Sequence, residues 1–289
     1  MSQESGFFFN INEAKEPSMG EIVLIHRSSS GPCELYRARK DGNMRVFKAL
    51  KPEHRGNPVY ETMLRKEFGI GYSLDYHGIC RTYSFGPVSG LGNCIEMEWV
   101  DGRTFREFMG ESPSRKKITH VLEGICEALG YIHCRQIIHR DLKPENILVT
   151  FNGDNVKIID FGVSDTDSSC IQKGPAGTMP YAAPEVLAGE KLDARCDIWS
   201  VGVILSEFGL FPGVAAKCMR RDLDRRYHSV DELRAVLDRK HTLAWLVPSL
   251  VCVILLVAAL ALRYREKDDD YYFMNATEAI EKANSEDSN

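Results

Sequence analysis

The chain lacks most of what would mark it as disulfide-stapled, zinc-binding or nucleic-acid-binding. It has nine cysteines, an odd number, spread from Cys33 to Cys252. No two of them form a CxxC pair, and no histidine cluster sits at zinc spacing. That pattern fits reduced, buried thiols in a reducing compartment. It also lacks basic excess: 36 Lys and Arg face 41 Asp and Glu, for a net charge of -5. Binding to nucleic acid through bulk basicity is thereby excluded as a working mode. No internal repeat is visible. The opening stretch, MSQESGFFFNINEAKE, has no basic run, and its apolar part is only Phe7 to Phe9 plus Ile11. It is expected to be an N-terminal extension over 1–20 that docks as an arm or edge strand, and not a signal peptide.

What is present reads as globular, with 44% hydrophobic and 27% charged residues. One segment stands apart. Leu243 to Leu262, LAWLVPSLVCVILLVAALAL, carries no charge over about 20 residues, the length a helix needs to cross a bilayer core. Trp245 and Tyr264 flank it as interfacial aromatics do. Pro248 lies in the first turns, where a missing N–H costs least. The expectation is one transmembrane helix over 243–262, followed by a short acidic tail over 263–289.

Before that run, the pattern changes once. Glu21 to Ile25, Cys33 to Arg39, Asn43 to Leu50, Ile79 to Phe85 and Asn93 to Val100 read as strands. Lys40-Asp41-Gly42-Asn43 is a hairpin signal between the second and third. Asn57 to Tyr72 is the lone helix of this half. After Asp101-Gly102 helices dominate. Ser114 to Cys134 places Ile118, Val121, Leu122, Ile125, Leu129 and Ile132 on one face. Asp193 to Phe208 and Asp231 to Arg239 follow, with a short strand at Val156 to Ile159. A sheet-rich half followed by a helical half predicts an α+β fold in two lobes.

Between the helical stretch and that short strand lies Ile137 to Val149, IIHRDLKPENILV. Two apolar runs enclose a carboxylate at Asp141, a cation at Lys143 and an amide at Asn146. Held at both ends, such a loop can present all three to one phosphate. Asp160-Phe161-Gly162 follows nineteen residues after Asp141, and Ala183-Pro184-Glu185 comes next. The order His139-Arg140-Asp141-Leu142…Asn146, then DFG, then APE resembles the eukaryotic-type (Hanks-type) serine/threonine protein kinases, in the membrane-anchored form found in bacteria. The resemblance runs from about Glu21 to Arg239.

The resemblance implies a two-lobed kinase domain over 21–240, with an N-lobe over about 21–100 and a C-lobe over about 101–240. It implies transfer of the γ-phosphate of ATP to serine or threonine hydroxyls of proteins. Asp141 would orient the hydroxyl and accept its proton, and Lys143 would neutralise charge on the moving phosphoryl group. Asn146 and Asp160 would hold Mg²⁺, with Mn²⁺ as an alternative. Lys48, paired with Glu67 (or, with a weaker fit, Glu61), would grip the nucleotide's phosphates. Met97, Glu98 and Val100 would border adenine, the last two through backbone groups. Thr178 and Glu185 would shape the activation segment, with Glu185 paired to Arg226 and Asp197 holding the catalytic loop. Arg140 implies control by phosphorylation at Thr166, Ser168 or Ser169. The domain would lie in the cytosol with ATP, single-pass at the cell membrane, the tail on the opposite side. The span would bring copies together as a homodimer. Nucleic acid is no expected partner.

Three departures qualify the resemblance. The glycine pattern that cradles phosphates is occupied by His26, Ser28 and Gly31, so Ser28 and Gly31 are what remains of that loop. The helix of Glu67 carries Gly69 and Gly71, with Gly71 at a place usually filled by an apolar side chain. That predicts a Lys48–Glu67 pair only partly formed without an activator, and faster transfer in Gly71→Leu. Between Trp199 and Arg226 the chain is shorter than usual, so a substrate-docking helix is expected to be missing. A tethered, non-catalytic relative of the family is the rival expectation, and a small-molecule kinase of related fold is a third.

Overall fold

The structure is a computed structural model that describes residues 19–27, 31–161, 179–190, 193–238 and 251–259. Ser28, Thr166, Ser168, Ser169, Thr178, the tail and most of the uncharged run lie outside these residues. The chain divides into two compact units, Met1–Leu237 and Asp238–Asn289.

The first unit opens with a five-stranded sheet in the order β1-β2-β3-β5-β4, each neighbouring pair antiparallel. The strands are β1 (Val23–Arg27), β2 (Cys33–Lys40), β3 (Asn43–Leu50), β4 (Thr82–Val88) and β5 (Gly92–Glu98). The β2–β3 hairpin turns through Asp41 at φ 51° and Gly42 at φ 81°. Both central residues are left-handed, as a two-residue turn matched to strand twist requires. Helix α1 (Pro58–Tyr72) starts where Asn57 accepts a bond from the Val59 N–H and Pro58 fills a first-turn position. It lies against one face of the sheet, where Leu50, Leu64 and Ile95 pack with Phe68 and Phe85.

The strand expected from Ile79 begins later. Ile79 forms a parallel bridge to Ile158 instead, with Cys80 N–H donating to the Ile158 carbonyl at 3.0 Å and Ile158 N–H to the Gly78 carbonyl at 2.9 Å. These bonds stitch the sheet-rich half to the helical half. The helical half also contains a small sheet, β6 (Gly102–Thr104), β7 (Ile147–Thr150) and β8 (Val156–Ile158).

Helix α2 (Phe105–Gly110) is entered through a reciprocal Thr104/Glu107 cap, and α3 (Arg115–His133) through Ser114. The face read from the sequence is the buried one: Val121, Leu122, Ile125, Leu129 and Ile132 are at most 1% exposed. Each such side chain contributes about 1.5–3 kcal/mol by leaving water. They meet α5 (Arg195–Glu207), α6 (Pro212–Cys218) and a final helix over 230–238 that buries Val230, Leu233 and Leu237. The short helix α4 (Pro184–Ala188) precedes α5.

The shortened stretch after Trp199 has a physical solution. A Cβ at Gly202 would lie 2.4 Å from Cys218 Cβ and 3.0 Å from Met219 Cγ. The bare glycine lets α6 lie directly on α5, with no further helix between Glu207 and Pro212. Burial pushes the thiols of Cys80, Cys94, Cys126 and Cys218 up to about 12, so they are inert core residues.

In the second unit, residues 251–259 are helical. Among the described residues no helix is long and apolar enough to cross a membrane.

Candidate active site

The cleft side of the sheet and the loop before β7 converge on one set of charges. Lys48 lies mid-strand in β3, paired between Leu35 of β2 and Ile95 of β5. Its ammonium contacts Glu67 Oε1 at 2.5 Å and Asp160 Oδ1 at 2.9 Å. Burial alone would drive this lysine toward neutrality. The carboxylates of Asp160 and Glu67 outweigh it, and the pKa is raised well above the ordinary lysine value. A fixed cation thus stands between α1 and the segment after β8. The pair expected to be partly formed is closed.

Gly71 explains how. A Cβ there would come 2.6 Å from Thr82 Oγ1 and 3.4 Å from Thr82 Cβ. Thr82 occupies the volume that a side chain at 71 would need, so α1 seats against β4 through the glycine. The faster transfer expected of Gly71→Leu meets this obstacle: a side chain at 71 must displace Thr82 or move the helix. Only a recess of about 10 Å³ remains beside Gly71, Thr82, Met97 and Phe161, room for about one water.

The loop carrying Asp141 is held from beneath. Asp197 is fully buried in α5, and its carboxylate accepts from the backbone N–H of Arg140 at 2.8 Å and of His139 at 2.9 Å. His133, at the end of α3, lies 2.8 Å from the same group. Burial would raise the Asp197 pKa, but the bond from His133, the charges of both histidines and the backbone bond from His139 more than offset it and hold it below the usual range. His139 itself is buried against Phe161, ring centroids 5.2 Å apart, with Nε2 3.1 Å from the Ile159 carbonyl. It is a structural residue. Arg140 and Asp160 both adopt φ of 66°, a costly left-handed backbone in non-glycine residues that clusters here at the site.

Asp141 is 5% exposed. One oxygen, Oδ2, takes Lys143 Nζ at 3.0 Å and Asn146 Nδ2 at 3.1 Å. The other, Oδ1, is buried with no partner among the described residues. An unsatisfied buried acceptor is expensive, which marks Oδ1 as the atom kept for an incoming donor. Asn146 spends its N–H groups on Asp141, the second bond running to the Asp141 carbonyl at 2.8 Å. Its remaining group is a carbonyl oxygen. That oxygen and the Asp160 carboxylate, about one third exposed, are hard donors of the type Mg²⁺ takes.

The adenine-bordering residues are placed more loosely. Met97 packs beside Leu50, Leu64 and Ile95 and lines the recess. The Glu98 N–H donates to Arg81 O at 2.8 Å, and Cys80 Sγ lies 3.6 Å from the Glu98 carbonyl. Glu98 can therefore offer a ligand its carbonyl and not its N–H. Val100 is half-buried just before β6, and Gly31 just before β2. Further off, Glu185 and Arg226 form the expected pair, bidentate at 2.6 and 3.2 Å, with Arg226 wholly buried.

A sequence profile of the protein kinase domain matches residues 24–249. The chain belongs to that family. Its relatives include the serine/threonine-protein kinase PknB of Mycolicibacterium smegmatis, 30% identical over 271 residues, an overlap of 77% of this chain and 42% of that protein. PknB of Mycobacterium tuberculosis is 34% identical over 201 residues, covering 65% and 31%. The kinase-domain chain thus spans less than half the length of these relatives. In fold it matches the PknI kinase domain of M. tuberculosis, with a TM-score of 0.59 at 20% identity over 78% of this chain and 97% of that one.

Sequence reasoning missed four members of the site. His133 supports Asp197 from the end of α3. Arg106, Tyr181 and Glu207 join Glu145 of the catalytic loop in one charged cluster. His133 follows the apolar face of α3 by one residue and could have been suspected. Nothing in the spacing announces the cluster.

Proposed function

We propose that the chain is a protein serine/threonine kinase acting on Mg·ATP. The observation that carries this reading is the division of labour at Asp141: Oδ2 is fixed by Lys143 and Asn146, and Oδ1 is buried and open to a donor. An acceptor hydroxyl bonded to Oδ1 is aligned on the γ-phosphorus. Its oxygen forms the new P–O bond while the bond to the β-bridging oxygen breaks. The proton passes to Asp141 Oδ1, and ADP carries away the electron pair. Lys143 stands beside the charge that develops on the phosphoryl oxygens, and Lys48 anchors the nucleotide's other phosphates. The cation, when bound by Asn146 and Asp160, neutralises phosphate charge. The test is transfer of labelled phosphate by the full chain to a generic protein acceptor. Transfer that survives Asp160→Ala or Lys48→Ala would sink the assignment; a folded chain that binds nucleotide and transfers nothing would favour the non-catalytic rival.

We also propose that the uncharged run over 243–262 anchors the chain in a bilayer, kinase domain on the ATP side and tail opposite. Its support is the length of the run and the helix over 251–259, where Ile254, Leu255, Leu256 and Val257 are each about 60% exposed and need an apolar cover. Such a span could also pair two copies. Recovery of the full chain in the soluble fraction after cell lysis would contradict the anchoring.

A further inference from the structure

Strand β1 is an edge of its sheet, paired with β2, and all five of its residues are exposed. Apolar burial holds it weakly, so side-chain links must fix its register. Its pairing with β2 is irregular: Leu24 faces Tyr36, but His26, two residues on, faces Leu35. Ile25 is the extra residue of a bulge. Cross-strand partners share one face of a sheet. Tyr36 packs with Phe47 and Cys94 on the face away from Lys48, so Leu24 is on that face too. Regular alternation would put His26 there as well. The bulge turns it to the cleft face, where Leu35 is paired in turn with Lys48. His26, Leu35 and Lys48 thus make one row across three strands, its outer members about 10 Å apart at the backbone.

The next rung holds that row in place. Arg27 faces Glu34 on the outer side, with its Nε 2.6 Å from Glu34 Oε1. Glu34 is 1% exposed and Arg27 63%. The Tyr36 hydroxyl donates to the second oxygen, Glu34 Oε2. Burial, with the bond and charge of Glu34, raises the Tyr36 pKa, so the phenol stays a donor. A carboxylate buried this far needs its cation, and the pair therefore resists a slip of β1 along β2. A slip of one residue would carry His26 back to the outer face. His26 itself is exposed and has no hydrogen bond or ion pair among the described residues. In either neutral tautomer its ring presents one N–H, a donor suited to a phosphate oxygen.

We propose that His26 binds the nucleotide's phosphates through its ring, beside Lys48, and that Arg27 and Glu34 are positioning residues that keep it there. This rests on the Mg·ATP reading above. His26 occupies a position of the glycine pattern that cradles phosphates. A side chain there keeps the backbone from approaching phosphate as closely as glycine would, and the imidazole spans the gap. The bulge and the ion pair are two parts of one device on a loosely held edge strand.

The test titrates the full chain with Mg·ATP and with adenosine by calorimetry, and measures KM and kcat for transfer. His26→Ala should weaken ATP binding about tenfold, the scale of one hydrogen bond to a charged group, and leave adenosine binding unchanged. Glu34→Gln, nearly the same shape, should also weaken ATP and spare adenosine. Combined with His26→Ala it should add little, because both act through one ring. If Arg27 acted on phosphate directly, removing the Glu34 carboxylate would tighten ATP instead. Arg27→Gln should lose affinity and Arg27→Lys should keep most of it, which tests the pair even if a Glu34 variant fails to fold. In each weakened variant KM for ATP should rise more than kcat falls. Unchanged ATP affinity in His26→Ala, equal losses of ATP and adenosine, or tighter ATP binding in Glu34→Gln would overturn the proposal. A wild type that binds Mg·ATP and loses it in these variants, yet transfers nothing, would count against the phosphotransferase reading alone.

Discussion

At the scale of single residues, Asp141 and Asp197 are two buried carboxylates with opposite tasks. Asp141 keeps one oxygen without a partner among the described residues; Asp197 has both oxygens filled. Replacing Asp141 with Asn keeps the shape and removes the proton acceptor. Transfer should fall about 10²–10⁴-fold while nucleotide binding persists, as steady-state rates and nucleotide titration would reveal. Asp197 bears on stability. Its folded pKa lies below the ordinary value, as does that of Glu96, where burial is outweighed by bonds from Lys40 and Ser84. A depressed folded pKa stabilises the fold above the unfolded value, about 4, and that stability is lost as pH falls through the folded pKa. Urea midpoints should therefore hold between about pH 7 and pH 5 and drop below about pH 4. A midpoint that rises on acidification would contradict the assignment. Lys48, Asp141, Asn146 and Asp160 were legible in the sequence because each sits in a short run whose order is itself informative. Arg106 was not, because its partners are far along the chain and only the fold brings them near.

At the scale of elements, two glycines decide how helices seat. Gly71 lets α1 lie on Thr82, and Gly202 lets α6 lie on α5. Gly71→Leu should cost about 1–3 kcal/mol in denaturant unfolding and slow transfer, since the helix that bears Glu67 must shift. Thr82→Gly in the same chain should recover part of both losses; no recovery would mean that Thr82 is not the obstacle. Gly202→Ala should lower stability by a similar amount, because Cys218 Cβ has no flexible end to give way. The sequence exposed Gly71 as an oddity. A helix propensity penalty and an empty position were both visible, but the threonine across the gap sits on β4 and was not. The buried face of α3 was legible since its apolar spacing is unbroken over several turns. The start of β4 was not, because Ile79 and Cys80 are as apolar as a strand yet pair across the lobes with β8.

At the scale of the whole molecule, the first unit is braced by buried polar links as well as by its core. Arg226 is wholly buried, and Glu185 is its carboxylate partner. Glu185→Ala leaves that charge stranded and should cost about 3–5 kcal/mol, which thermal unfolding would detect. No further helix lies between Glu207 and Pro212, so α6 follows α5 directly. In the proposed reaction Asp141 Oδ1 receives the acceptor hydroxyl. The most direct measurement is single-turnover transfer from labelled Mg·ATP to a protein acceptor, using the full chain beside Asp141→Asn and Lys48→Ala at matched nucleotide occupancy. The expected result is transfer by the wild type, loss of about 10²-fold or more in Asp141→Asn, and label on serine or threonine. Equal rates in wild type and Asp141→Asn, or no transfer by a wild type saturated with Mg·ATP, would contradict it.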